Sequence, residues 1–259
     1  MTYIQYEVSG QVGILTINRP EALNALNHAV LIELDLVLDQ IDLETTRCLV
    51  ITGSGEKAFI AGADVAEMSS MDEDQARVFG ELGNAIFRRI EKLPIPVIAA
   101  INGYALGGGN ELSFSCDIRI CSENAVFGQP EAGLGITPGF GGTQRLARVI
   151  GSTSKAKEIL FTCRNIKAEE AKEIGLVSAV HPIEDLMVEA LKMANRIASQ
   201  APIAIRNIKK AVNEGLDLPI DDAIQLEVGL FSACFSSKDQ KEGMRAFLEK
   251  RKDRTFKNC

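Results

Sequence analysis

Polar and apolar positions alternate through YIQYEV (3–8), and a second short run, VGILTIN, begins at Val12 beyond Ser9-Gly10-Gln11. Two period-two runs about a glycine turn predict a β-hairpin. The period then lengthens. NRPEALNALN (18–27) breaks the strand and leads into AVLIELDLVLDQI (29–41), whose apolar positions recur at helical spacing. CLVITGSG (48–55) is a continuous apolar run stopped by Gly53 and Gly55, as expected of a buried strand. After AFIAGADVAEM (58–68), charged and apolar faces alternate helically from about 72 to 92, where Pro94 and Pro96 end the pattern. VIAAINGYAL (97–106) reads as one further buried strand, and DIRICSENAVFGQPEAGLGI (117–136) as short strands around loops. Residues 140–160 and 168–174 have helical periodicity, GLVSAVHP (175–182) reads as a late strand, and 183–254 as three or four helices punctuated by Pro202 and Pro219. Strands that each end in a glycine loop and a helix predict an α/β core of repeating strand-strand-helix turns. The division expected is a core over 1–200 and a helical region over 201–259, packed on the core or on a neighbouring subunit.

Composition narrows the class. The chain has 259 residues, 46% hydrophobic and 24% charged, enough to bury a sizeable core. A net charge of −7 disfavours non-specific attraction to nucleic acid or anionic membrane. The last stretch runs against this balance: from 241 to 259 there are seven Lys/Arg and three acids, a basic tail suited to an anionic ligand. Six cysteines show no CxxC spacing, and MTYIQYEVSG has neither a basic nor an apolar leader region. The expectation is a soluble cytoplasmic protein with free thiols and no membrane span.

Most chemistries lack their residues. His28 and His181 are the only histidines, which leaves no Ser-His-Asp triad, and no HExxH or Cys/His cluster suggests a metal site. The glycines of GLGITPGFGG are misplaced for a dinucleotide fingerprint. Carboxylates and backbone amides remain. AGAD (61–64), GGGNE (107–111) and GQPEAGLGITPGFGG (128–142) are glycine loops, each after an expected strand. N–H groups at such loop-to-helix junctions lack partners and can bind an external oxygen, and two from separate loops can converge on one oxyanion. Glu111 and Glu131 follow in neighbouring loops, a pair able to move a proton and activate water. Carboxylate pairs also serve glycosidases. The glycine loops favour a developing enolate oxygen.

NRPEALNALN, AFIAGADVAEM, PVIAAINGYALGGGNELSFSCDIRI, FGQPEAGLGITPGFGGTQRL and the terminal AFLEKRK together resemble the crotonase superfamily, and within it the short-chain enoyl-CoA hydratases, over about 3–257. The resemblance implies a crotonase-like spiral of ββα units with a C-terminal helical trimerisation region, and trimers paired into hexamers. It implies reversible hydration of a short trans-2-enoyl-CoA such as crotonyl-CoA, with the CoA thioester as substrate and no separate cofactor. Carried over, Glu111 and Glu131 are the catalytic pair, Ala63 and Gly108 the oxyanion hole, and Gly139 a holder of water. Glu21, Ala22, Leu23, Ala61, Asp64, Val65 and Ala66 match CoA- and acyl-binding positions, and Phe247 and Lys250 match residues presented by a neighbouring subunit. Two positions depart from the pattern. Ala66 stands where many relatives carry lysine, and Asn110 where a small residue is common; Asn110 is placed to hydrogen-bond Glu111 or the water. The alternatives are an enoyl-CoA isomerase, which often lacks a glutamate at the Glu111 position, other acyl-CoA chemistry on the same fold, and an RNA-binding relative that the net charge disfavours.

Overall fold

The computed structural model describes residues 1–259 and sorts the apolar runs into two sheets. β1 (Ile4–Ser9) and β2 (Val12–Ile17) form the expected antiparallel hairpin, with Ile4 opposite Ile17. α1 (His28–Gln40) follows, capped by Asn27, whose side chain accepts from Val30 N–H at 2.9 Å. Each later turn then gives one strand to each sheet. β3 (Cys48–Gly53) and β4 (Ala58–Ile60) precede the short α2 (Val65–Met68) and the long α3 (Glu73–Lys92), which opens on an Asp72/Gln75 capping box. β5 (Val97–Ile101) and β6 (Tyr104–Leu106) precede α4 (Gly108–Phe114). β7 (Ile118–Ser122) and β8 (Val126–Gly128) precede α5 (Gly142–Ile150) and α6 (Thr153–Thr162). β9 (Ile166–Lys167), α7 (Ala168–Glu173), β10 (Ala179–His181) and α8 (Ile183–Ala198) complete the core. The larger sheet runs β1-β2-β3-β5-β7-β10, parallel beyond the hairpin, and the smaller one β4-β6-β8-β9. This is the spiral of ββα turns.

The central strands are apolar throughout because both faces are covered. Leu49, Ile51, Val97, Ala99 and Ile101 point into the main core with Phe59 and Phe87. Cys48, Val50, Ile98 and Ala100 point the other way, against Leu186, Ala190, Ala194 and Ala198 of α8. Small side chains every fourth residue let that helix lie close to the sheet.

Three expectations need correction. VIAAINGYAL is two strands, one in each sheet. The corner is forced at Gly103, where a Cβ would sit 2.2 Å from the Lys57 carbonyl oxygen, and at Asn102, whose amide donates to Gly53 O (2.9 Å) and Gly55 O (2.6 Å). The 140–160 region is two helices broken at Gly151, which has φ +64°. The terminal helices are α9 (Pro202–Gly215), α10 (Ile220–Cys234) and α11 (Lys238–Leu248), so helix ends before 254. α9 meets the core through polar contacts, Lys209 Nζ to Asp117 Oδ2 (2.7 Å) and Arg206 to Leu43 O (2.8 Å), and the segment beyond α11 returns to it where Arg47 donates to Phe256 O (2.7 Å). No helix is long and apolar enough to cross a membrane.

Candidate active site

The three glycine loops meet on one cavity of about 530 Å³, lined by Ala61–Ala63, Gly107–Gly108, Glu111, Glu131 and Gly139–Phe140, with Met68, Met71 and Phe79 as apolar wall. Gly107 (φ +44°) starts α4 in a conformation that L side chains rarely adopt, and its N–H is tied to Gly128 O at 2.9 Å. A Cβ there would also lie 2.8 Å from Glu131 Oε1. Gly109 is glycine because a Cβ would meet the Ile60 carbonyl oxygen at 2.0 Å, so α4 lies directly on β4. Close approach of backbone, more than turning, is what the glycine run provides.

The N–H of Gly108, first residue of α4, has no acceptor in the protein, and neither has that of Ala63. The two sites adjoin, since a Cβ on Gly108 would sit 3.4 Å from Ala63 N. Ala63 is held by its neighbours: Leu26 N–H donates to Gly62 O and Asp64 N–H to Leu26 O, both at 2.8 Å.

Glu111 is 1% exposed. Its Oε1 accepts from Phe140 N–H (2.9 Å) and Gly142 N–H (2.7 Å), while Oε2 makes no hydrogen bond within the protein. Burial pushes its carboxyl up to about 7, the two N–H groups opposing and the Glu131 charge adding to the rise. Glu131 opens a short 3₁₀ turn, 131–134, and is also raised by burial. The Gln129 side-chain amide, turned to satisfy its neighbours, donates to both Glu131 oxygens at 2.8 and 3.1 Å. Desolvation thus raises both carboxyls that face the cavity, and at Glu111 the neighbouring Glu131 charge adds to it.

The other sequence-derived positions divide. Ala61 and Val65 line the cavity, as does Gly139, whose Cα faces open space. Glu21 and Ala22 lie on a 3₁₀ turn outside the lining, and Leu23 O accepts from Ala61 N–H at 3.0 Å. Asp64 is engaged inside the protein: Oδ2 with Arg19 (2.7 Å), Oδ1 with the first N–H groups of α2, on which Ala66 is exposed. Phe247 and Lys250 stand at the end of α11 and beyond it, away from the cavity, Phe247 80% exposed. Asn110 turns from Glu111 to Gly128 O, at 3.4 Å, because the first turn of α4 aims it at β8.

Sequence inspection missed the residues that hold the 139–142 loop. Phe140 packs edge-on to Phe79 and Phe87, at 5.2 and 5.5 Å between ring centres, and Asn84 donates to Gly139 O at 2.7 Å. Their signal was present as the stripe Gly80, Gly83, Asn84, Phe87, Glu91 at helical spacing on α3.

Residues 7–258 match the family described as Enoyl-CoA hydratase/isomerase. The chain is 54% identical over 253 residues to the short-chain-enoyl-CoA hydratase of Clostridium acetobutylicum, covering 97% of each. It is 52% identical over 247 residues to the crotonyl-CoA hydratase of Syntrophomonas wolfei, covering 95% of each. Among solved structures, the enoyl-CoA hydratase of Bacillus anthracis superposes with a TM-score of 0.96 at 44% identity, covering 99% of this chain and all of that one. With both glutamates, the glycine loops and the ββα spiral in place, the chain belongs to the enoyl-CoA hydratase/isomerase family.

Proposed function

We propose that this chain catalyses reversible syn addition of water across the 2,3-double bond of a short-chain trans-2-enoyl-CoA, giving the 3-hydroxyacyl-CoA. One observation carries the proposal: two buried glutamates face the same apolar cavity as two adjacent N–H groups without acceptors. The thioester oxygen sits on the N–H groups of Ala63 and Gly108, which stabilise the enolate-like transition state. Glu111, anchored through Oε1, takes a proton from water with Oε2 as the water oxygen bonds to Cβ. Glu131 exchanges the proton at Cα. Gly139 N–H helps to hold the water. Carboxylates and amides supply every proton and charge in this scheme, so CoA enters only as part of the substrate. Isomerisation needs a single acid/base group, and the second glutamate favours hydration.

The acyl-CoA is held between Ala61, Val65 and Ala66, with its nucleotide end toward Glu21–Leu23 and toward Phe247 and Lys250 of an adjacent copy. The assembly is a trimer, paired into a hexamer, with 201–259 supplying much of the contact. In support, α10 exposes Ile220, Ile224, Val228 and Phe231 along one face, with Phe235 just beyond its end, and α9 exposes Ile208 and Val212, with Leu216 just beyond its end. Six unpaired cysteines favour a reducing, cytoplasmic setting. The test is loss of conjugated enoyl-thioester absorbance on adding crotonyl-CoA, followed by a series of longer acyl chains. Absence of hydration across the series, or double-bond migration without a hydroxylated product, rules the proposal out.

A further inference from the structure

Arg145 on α5 folds back over the turn that begins its own helix. Its Nε meets Glu91 Oε1 on α3 at 2.5 Å, and its Nη1 donates to the Phe140 carbonyl at 2.7 Å. Both side chains are largely buried, 14% and 18% exposed. The turn is shaped around the guanidinium: Gly141 has φ +98°, and a Cβ there would lie 2.0 Å from Arg145 Nη1. Glu91's other oxygen takes Arg88 at 2.7 Å, which leaves Oε1 to Arg145. On the far side of the turn, the N–H groups of Phe140 and Gly142 both end on Glu111 Oε1.

We propose that Arg145, clamped by Glu91, is a positioning residue for Glu111: it fixes the 140–142 turn whose two N–H groups aim the carboxylate, and it stands behind them as a permanent positive charge. This rests on the hydratase reading, in which Glu111 is the base. A planar fork can grip Glu91 and the Phe140 carbonyl together, which a lysine ammonium on a flexible stem does poorly. The charged groups that act on Glu111 are Glu131, which raises its pKa, and Arg145, which lowers it; Glu91 and Arg88 stand behind Arg145. Removing the guanidinium therefore both loosens the carboxylate and makes it harder to ionise.

The test compares Arg145→Gln, Arg145→Lys and Glu91→Gln with the parent in crotonyl-CoA hydration across pH. Arg145→Gln lowers kcat roughly 10–100-fold, the order expected when a reacting group drifts by about 1 Å, with KM changed less than about threefold. Its acid limb moves to higher pH. Arg145→Lys keeps the charge, so its limb stays near the parental position while kcat falls by a smaller factor. Glu91→Gln, almost isosteric, lowers kcat without raising the limb. Equal losses in the Gln and Lys variants with an unmoved limb would mean a merely structural role and overturn the proposal, as would parental kcat in a folded Arg145→Gln. If that variant does not fold, parental kcat in Glu91→Gln overturns it. NMR of the labelled Glu111 carboxyl, assigned with Glu111→Gln, separates this proposal from the hydratase reading. The titration rises in Arg145→Gln even if crotonyl-CoA is not turned over, and an unchanged titration refutes the positioning role.

Discussion

Glu111 combines two demands that conflict in an ordinary helix. It must be buried to stay basic near neutral pH, and it must be hydrogen-bonded to stay aimed; the Phe140 and Gly142 N–H groups meet the second without abolishing the first. The carboxyl is raised from its ordinary 4.5 to about 7, so the folded state binds the proton more tightly than the unfolded one. Stability from this group is therefore present at low pH and lost as pH rises from 4.5 to about 7, by about 3 kcal/mol at one unit per 1.36 kcal/mol. Glu111→Gln escapes that loss and can still accept both N–H bonds. Its Tm, relative to the parent, is expected to be higher at pH 8 than at pH 5, while hydration falls roughly 10²–10⁴-fold. A Tm difference independent of pH would place the carboxyl back at its ordinary acidity. Gly108 gives a second test. Proline suits the first position of a helix, so Gly108→Pro removes one N–H with little damage to α4. A Cβ at this site meets Phe140 Cδ2 at 3.0 Å in either variant, which makes Gly108→Ala the proper control for crowding. The proline variant should turn over a further 10²–10³-fold more slowly, about the worth of one oxyanion donor. Equal kcat for the two folded variants would remove that N–H from the mechanism.

At the scale of elements, the sequence pattern located α3 well, because charged and apolar faces alternate and Pro94 and Pro96 stop the helix. It could not reveal what the buried face meets. Gly83 lies against Phe140, a partner far along the chain, and no local periodicity encodes that contact. Asn102 is similar: the pattern reads VIAAINGYAL as one strand, whereas the Asn102 amide bonds turn the chain from one sheet to the other. The glutamates and glycine loops were legible because the chemistry sits in short contiguous motifs. Arg145 and Glu91 were not, since their function exists only once α5 is laid across α3. Gly83→Ala tests the α3 contact. Alanine gains about 1 kcal/mol of helix propensity, yet its Cβ would fall 2.4 Å from Phe140 Cδ1. Overpacking of this kind costs about 1–3 kcal/mol. The expected result is a lower Tm together with reduced kcat, because displacing the ring shifts the Phe140 N–H from Glu111. A more stable variant with parental kcat would show that the ring moves without disturbing the site.

For the whole molecule, an α/β core of repeating strand-strand-helix turns was readable from the sequence, and so was the helical character of the last 75 residues, whereas the separate strands of the smaller sheet were not. The basic tail requires finer division. Glu242 takes Arg245 and Arg251, and Glu249 also takes Arg251, so part of the positive charge is neutralised where it stands. Lys250 has no such partner and follows the exposed Phe247 and Leu248. The apolar stripe on α10 is out of place on a solvated monomer: Ile220, Ile224, Val228 and Phe231 recur every three or four residues, Phe235 continues them just past the helix, and α10 has no buried side chain. Val228→Lys should leave the isolated chain folded, because that side chain is already half exposed, while light scattering reports smaller particles than the parent's. The same sample should bind CoA thioesters less well if an adjacent copy supplies Phe247 and Lys250. Lys250→Ala alone, in intact oligomers, is expected to raise KM roughly fivefold, the size of an exposed ion pair worth ~1 kcal/mol, with kcat unchanged and the difference shrinking as salt is added. A monomeric Val228→Lys protein with parental kcat and KM would show that each chain carries a complete site and that the stripe on α10 serves some other contact.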